Sequence, residues 1–182
     1  EGTGPEIWEQ TQGRLDGFVA AIGTGGTLSG CSEALKARGD VRVALADPYG
    51  AKMHAYFTRG ELALDVEGGS ITQGIGQGRV TGNVDGALVD TSYRIPDSEV
   101  VEVLDDLAAN EGLTLGGSAG MNVAGAIRLA NEMGPGHTIA TILCDHGSRY
   151  LSQLWDADFR RNNGFPVPAW LATESSVQAP LL

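Results

Sequence analysis

Gly23-Thr24-Gly25-Gly26-Thr27 follows directly on the apolar run Phe18-Val19-Ala20-Ala21-Ile22. Glycines in such a turn let successive backbone N–H groups converge, and a helix starting there adds the positive end of its dipole. Together these make an anion site without any lysine. Two threonine hydroxyls supply further donors, and phosphate is the ligand this chemistry suits. The spacing nearly meets G-x-G-x-x-G, and Asp47 closes the next apolar run, where a ribose-binding acid would stand. Leu28, however, takes the third glycine position, and Pro48 follows the acid. No G-K-[ST] follows the loop, which excludes a triphosphate P-loop. A cofactor with one phosphate fits this pattern better than a dinucleotide.

Gly116-Gly117-Ser118-Ala119-Gly120 is a second glycine turn, and it matches G-x-S-x-G, the nucleophile elbow of α/β-hydrolases. A hydrolase would need an acid and then a histidine after the serine. Asp145 and His146 come in that order, but the side chains of adjacent residues diverge, and His137 precedes the acid. The alternative role for Ser118 is a helix cap. A third stretch, residues 68–82, carries Gly69-Ser70-Ile71-Thr72 and Gln73-Gly74-Ile75-Gly76-Gln77-Gly78. A loop of that length and composition is either a pocket wall or a mobile segment. Asp145-His146-Gly147 follows the apolar run Ile139-Ala140-Thr141-Ile142-Leu143-Cys144, at the strand end where α/β proteins place ligands, though Asp145 is also a natural helix cap there. His54 and His137 read as surface or interface residues. No cluster of His, Cys, Asp and Glu has metal-ligand spacing, so no metal is expected.

These turns need elements to hold them. Thr3-Gly4-Pro5-Glu6 reads as a helix start, with the helix reaching about Gln12. Residues 18–22 read as a buried strand, about ten residues after Thr27 as a helix, and residues 41–46 as a second buried strand. Strand, glycine loop, helix and strand in about thirty residues form a βαβ unit and hence a parallel sheet. Residues 52–59 read as a short helix, 96–111 as an amphipathic one, 113–115 as a short strand, 116–120 as a tight turn and 121–133 as a further helix. A third buried strand over 138–144 leads to a helix carrying Tyr150, Leu151 and Leu154. The fold class is α/β, three layers around a mostly parallel sheet, over residues 1–165. Residues 166–182 are expected to be a poorly ordered tail.

With 23 acidic against 12 basic residues, the net charge is −11. That balance, with no basic cluster, argues against nucleic acid and anionic membrane surfaces as partners. No apolar run approaches the ~20 residues of a membrane span. Two cysteines are too few for a disulfide framework, which points to a reducing, cytoplasmic compartment. The 27 glycines are about twice the usual share, and glycine used this way brings backbone close to something.

Taken in order, Gly23-Thr24-Gly25-Gly26-Thr27, Gln73-Gly74-Ile75-Gly76, Gly116-Gly117-Ser118-Ala119-Gly120 and Ser148-Arg149-Tyr150-Leu151 resemble one family. It is the cysteine synthase and cystathionine β-synthase family, pyridoxal-phosphate enzymes of the tryptophan-synthase-β-like fold (fold type II). Thr3-Gly4-Pro5-Glu6-Ile7-Trp8 agrees with it, and the resemblance extends to about Trp170. It implies pyridoxal 5'-phosphate as cofactor, with Gly23, Thr24, Gly25, Gly26 and Thr27 holding its phosphate and Ser118 hydrogen-bonding its pyridine nitrogen. A neutral hydroxyl there makes a milder electron sink than a carboxylate would, sufficient when a good leaving group departs from the β-carbon. It further implies Gly76 and Gln77 as substrate-pocket residues, and Asp145, from its place at the end of a buried strand, is a candidate supporting residue of the site.

The same resemblance implies a lysine carrying the cofactor as a Schiff base, and neither Lys36 nor Lys52 matches that lysine's motif. The Ser/Thr-Gly-Asn loop that takes the substrate carboxylate in this family is also absent before Gly23. The expectation is therefore a C-terminal half, with no catalytic residue of its own and the lysine upstream. The implied reaction is β-replacement on an activated serine, O-acetylserine and sulfide giving cysteine and acetate. Gly-Gly-Ser-Ala-Gly leans toward cystathionine β-synthases, so cystathionine formation or cysteine desulfhydration is the alternative, and serine hydrolysis at Ser118 a remote one. Expected partners are an amino-acid substrate, sulfide or a thiol, the protein's own N-terminal half, and a second copy in a homodimer.

Overall fold

The computed structural model describes residues 2–172. Helix α1 (Thr3–Gln10) leads into strand β1 (Gly17–Ala20), and the βαβ unit follows as α2 (Gly26–Lys36) and β2 (Arg42–Pro48). Then come α3 (Met53–Arg59), β3 (Thr91–Ile95), α4 (Asp97–Glu111), α5 (Gly117–Met133) and β4 (Ile139–Thr141). A 3-10 turn (Gly147–Tyr150), α6 (Ala157–Asn162) and α7 (Ala169–Ala172) complete the described chain.

The four strands are all parallel and lie in the order β3-β2-β1-β4. The chain moves outward from β1 through β2 to β3, and α4 and α5 then carry it back to the far side of β1. Strand order thus reverses between β1 and β4. In open α/β sheets such a switch point, at the carboxyl ends of the strands, is where ligands bind.

Strand alternation distributes the core over two faces. Phe18, Ala20, Val43 and Leu45 pack with Leu28 and Leu35 of α2 and Met53 of α3. Val19, Ala44, Ala46 and Ile95 pack with Val100 and Leu104 of α4 and Met121, Ala124 and Leu129 of α5. Because both faces are covered, β1 and β2 read in sequence as nearly continuous apolar runs. Each large side chain buried this way contributes about 1.5–3 kcal/mol before its entropy cost. Helix α5 lies close on the sheet: a Cβ at Gly125 would stand 2.8 Å from Val19 Cγ1 and 2.9 Å from Ala46 Cβ.

The three-layer α/β class agrees with expectation, while several elements differ in detail. Strand β3 is absent from the sequence reading, because this edge strand has only five residues and buries only Ser92 and Ile95. The turn expected at 116–120 is mostly helix, since α5 begins at Gly117 with Gly116 as its N-cap. The strand expected over 113–115 reduces to one antiparallel bridge between Leu115 and His146. The strand expected over 138–144 pairs only through Thr141, and the helix expected around Tyr150 to Leu154 is a single 3-10 turn.

Residues 166–172 are tied to the body rather than loose. Arg160, 1% exposed, donates from Nη1 to Asp105 Oδ1 at 2.7 Å and to the Pro166 carbonyl at 3.3 Å. Its guanidinium lies 5.5 Å from the ring centre of Trp155, and Trp170 packs on the same indole at 6.0 Å. The rest of the expected tail, 173–182, lies outside the described residues.

Candidate active site

Where β1 and β4 part, their carboxyl ends open on a cavity of about 510 Å³. One wall is the glycine turn after β1: Gly23, Thr24, Gly25, Gly26 and Thr27 all line the cavity. Gly25 is the N-cap of α2 with φ 92° and no side-chain cap. The first N–H groups of that eleven-residue helix have no intrahelical acceptor, so they are free for an anion.

The glycines here are dictated by the protein as well as by a ligand. A Cβ on Gly23 would stand 2.5 Å from the Gly74 carbonyl oxygen, and one on Gly25 would stand 2.5 Å from Val84 Cγ2. The Gly25 side chain position thus points at Val84, not into the cavity. Gly26 has ordinary space, with nothing nearer than Asn83 Nδ2 at 3.8 Å. Thr81 Oγ1 donates to the Thr24 carbonyl at 2.7 Å, and the Ser29 hydroxyl donates to the Asn83 carbonyl, so residues 81–84 brace the turn from behind.

The long glycine loop forms the second wall. Asp97, the first residue of α4, accepts from Ser70 Oγ at 2.5 Å and from the Ile71 N–H at 2.9 Å, which anchors the start of the loop. Further on, the Gly76 N–H donates to the Ile22 carbonyl at 3.0 Å. Gln73, Gly74 and Ile75 line the cavity between these anchors. The expected pocket residues Gly76 and Gln77 do not. Gly76 is turned onto β2, where its Cβ would stand 2.9 Å from Pro48 Cγ, and the Gln77 carbonyl accepts from the Lys52 N–H at 3.0 Å. The loop meets the cavity slightly earlier than the motif suggested, because the bond to Ile22 pulls Gly76 underneath it.

Ser118, in the first turn of α5, lies on the cavity lining and is 8% exposed. Its hydroxyl has no hydrogen-bond partner among the described residues, and a helix cap is ruled out because Gly116 holds that position. No histidine serves it either. His54 Nδ1 bonds Ser92 Oγ at 2.8 Å, His137 Nδ1 bonds the Gly134 carbonyl at 3.2 Å, and His146 Nδ1 accepts from the Ser148 N–H at 3.2 Å. The triad a hydrolase requires is therefore not assembled, since an activated serine needs its base within hydrogen-bond reach.

Asp145 lines the same cavity. Its Oδ2 accepts from the Tyr150 hydroxyl at 2.8 Å, and its backbone carbonyl accepts from the Gly116 N–H at 3.1 Å. Its Oδ1 is buried without a partner beside Gly116, so close that any Cβ there would collide with it. Asp145 thus ties the segment that follows β4 to the start of α5, the element that presents Ser118. Burial and the neighbouring carboxylate both hold the Tyr150 hydroxyl above its usual pKa, which keeps it a donor to Asp145. Asp47 has no place in the cavity: it is fully buried and accepts from the His54 N–H at 2.8 Å, leaving the ribose-binding role empty.

Asn122, Ile142 and Cys144 also line the cavity, and none was legible as a site residue. The one available signal was Asn122 itself, a carboxamide in an otherwise small and apolar helix face. Neither lysine reaches the cavity. Lys36 pairs with Asp90 at 2.6 Å on another surface, and Lys52 sits at the N-terminus of α3. Among the described residues no group of His, Cys, Asp and Glu could hold a metal, and no helix is long and apolar enough to cross a membrane.

The site suits a monophosphate cofactor with a heteroaromatic ring. Its lining combines a lysine-free cradle of N–H groups, the unpartnered Ser118 hydroxyl, and the apolar Ala20, Ala21, Ile75 and Ile142. Comparison with known proteins agrees. Cysteine synthase 1 of Neurospora crassa is 45% identical over 159 residues, covering 85% of this chain and 42% of its own length. Cysteine synthase 1 of Emericella nidulans is 42% identical over 168 residues, covering 90% of this chain and 45% of its own. The crystal structure of O-acetylserine dependent cystathionine beta-synthase from Helicobacter pylori aligns with a TM-score of 0.72 at 30% identity, over 82% of this chain and 46% of that one. The chain therefore spans less than half the length of these relatives. Residues 1–145 match the family described as pyridoxal-phosphate dependent enzyme, and the chain belongs to that family.

Proposed function

We propose that this chain is the cofactor-phosphate-binding half of a cysteine synthase, which converts O-acetylserine and sulfide to cysteine and acetate. The observation that carries the reading is the meeting of the Gly23–Thr27 turn and the unpartnered Ser118 hydroxyl in one cavity at the switch point of the sheet. The cysteine synthase relatives support the choice of reaction.

Gly23, Thr24, Gly25, Gly26 and Thr27 would hold the phosphate through backbone N–H groups and the α2 dipole. Ser118 would hydrogen-bond the ring nitrogen, while Ile75, Ile142, Ala20 and Ala21 exclude water from the ring. Held there, pyridoxal phosphate would supply the electron sink that replacement of acetate by sulfide at the substrate β-carbon requires. Asp145, through Tyr150 and the Gly116 N–H, keeps the start of α5 where Ser118 can meet the ring. The lysine that carries the cofactor and moves the α-proton is supplied from outside these 182 residues. The same part of the protein supplies the substrate-carboxylate loop, and a cytoplasmic homodimer completes the proposal.

The test is an assay of the full-length protein with O-acetylserine. Sulfide consumption with cysteine formation is the expected result. Turnover only when a thiol amino acid replaces sulfide would assign cystathionine formation instead, and absence of both activities would overturn the proposal.

A further inference from the structure

Parallel strands β1 and β4 are paired only as far as Val19 and Thr141. Just past that point a side chain takes over. Asn122, 2% exposed on α5, accepts from the Ala21 N–H at Oδ1, 2.7 Å away, and donates from Nδ2 to the Ile142 carbonyl at 2.8 Å. The same Nδ2 reaches Cys144 Sγ at 3.4 Å. A carboxamide has an acceptor and two donors in one plane, which is what bridging one backbone N–H, one backbone carbonyl and one sulfur requires. An aliphatic residue would leave two backbone groups unpaired. A carboxylate would satisfy Ala21 and repel the Ile142 oxygen.

The bridge stands in the cavity wall itself, since Ala21, Asn122, Ile142 and Cys144 all line it. Ala21 is two residues ahead of the phosphate turn, and Cys144 is the residue before Asp145. Beyond the ladder and the Thr141 hydroxyl, which donates to the Val19 carbonyl at 2.7 Å, this amide is the link that spans the two walls at the cavity. Cys144 is an exposed free thiol, whereas Cys31 is buried.

We propose that Asn122 is a positioning residue for the cofactor. It holds the end of β1 and the end of β4 at the separation the ring needs, and it fixes the Cys144 thiol on a wall that bound cofactor covers. This rests on reading the cavity as the pyridoxal-phosphate site.

The experiment uses the full-length protein and its Asn122→Asp and Asn122→Ser variants. Pyridoxal phosphate uptake is followed by absorbance, cofactor-free melting by circular dichroism, and Cys144 modification by a thiol reagent with and without pyridoxal phosphate. Cys144→Ser supplies the background from other thiols. Loss of the bridge should raise the cofactor dissociation constant by about tenfold or more in protein that still folds. In the wild type, bound cofactor should slow Cys144 modification by a similar factor, and the variants should lose that protection. Variants that melt lower but bind pyridoxal phosphate as tightly as the wild type would make Asn122 merely structural and overturn the proposal. If neither variant folds, the wild-type thiol measurement decides: equal Cys144 reactivity with and without bound cofactor overturns it. A wild type that takes up no pyridoxal phosphate would overturn the cofactor reading as well, a distinct outcome.

Discussion

At Ser118 a hydroxyl on the cavity lining has no hydrogen-bond partner among the described residues, which leaves it available to a ligand. Under the proposed function it completes one neutral hydrogen bond to a ring nitrogen, worth about 1 kcal/mol. Ser118→Ala is accordingly expected to keep the cofactor, with affinity reduced by no more than about tenfold, and to lower turnover. Full turnover in that variant would remove Ser118 from the site. At Gly25 the backbone argument is independent of any ligand. Its φ of 92° and the 2.5 Å approach of Val84 mean that Gly25→Ala should cost at least about 1–2 kcal/mol in urea unfolding of the cofactor-free protein. Gly26→Ala, with 3.8 Å of clearance, should be nearly neutral in the same measurement. Equal effects of the two would contradict the turn geometry.

Strand β2 carries, one residue before its end, a carboxylate that the fold has buried. Asp47 accepts from the N–H groups at the start of α3, yet burial outweighs these bonds and raises its pKa from the usual 3.8 to about 6. Its Oδ1 has no partner. Between those two pH values the unfolded chain has released its proton while the native protein still holds it. Stability therefore falls as pH rises from about 4 to about 6, and the loss is complete above that, amounting to about 3 kcal/mol. Asp47→Asn keeps an acceptor for the His54 N–H and has no proton to lose, so its stability should lack this slope. Parallel pH profiles for the two proteins would show that Asp47 is not the titrating group. The long glycine loop shows what an element-scale reading leaves open. Composition allowed wall or mobile segment, and the bonds from Asp97 and Ile22, neither within the loop, make it a wall.

For the molecule as a whole, the sheet order β3-β2-β1-β4 puts the cavity between two strands more than a hundred residues apart in sequence. Both lysines lie away from that cavity. Borohydride fixation of the cofactor in the full-length protein should consequently label a peptide outside these 182 residues. Label on Lys36 or Lys52 would refute the division of labour proposed above. The local signals were sufficient for the parts of the site that are themselves local. The Gly23–Thr27 turn, the start of α2 and the glycines around Ser118 follow from short-range backbone chemistry, and the parallel sheet follows from one βαβ unit with apolar strands. Those features the sequence by itself determined. It could not determine β3, a short edge strand with mixed exposure, nor the burial of Asp47, nor that Gly76 turns onto Pro48 while Gly74 faces the cavity. It could not show Asn122 bridging Ala21 to Ile142 either. Each of these depends on contacts between residues distant in the chain, and such contacts are decided only when the layers pack.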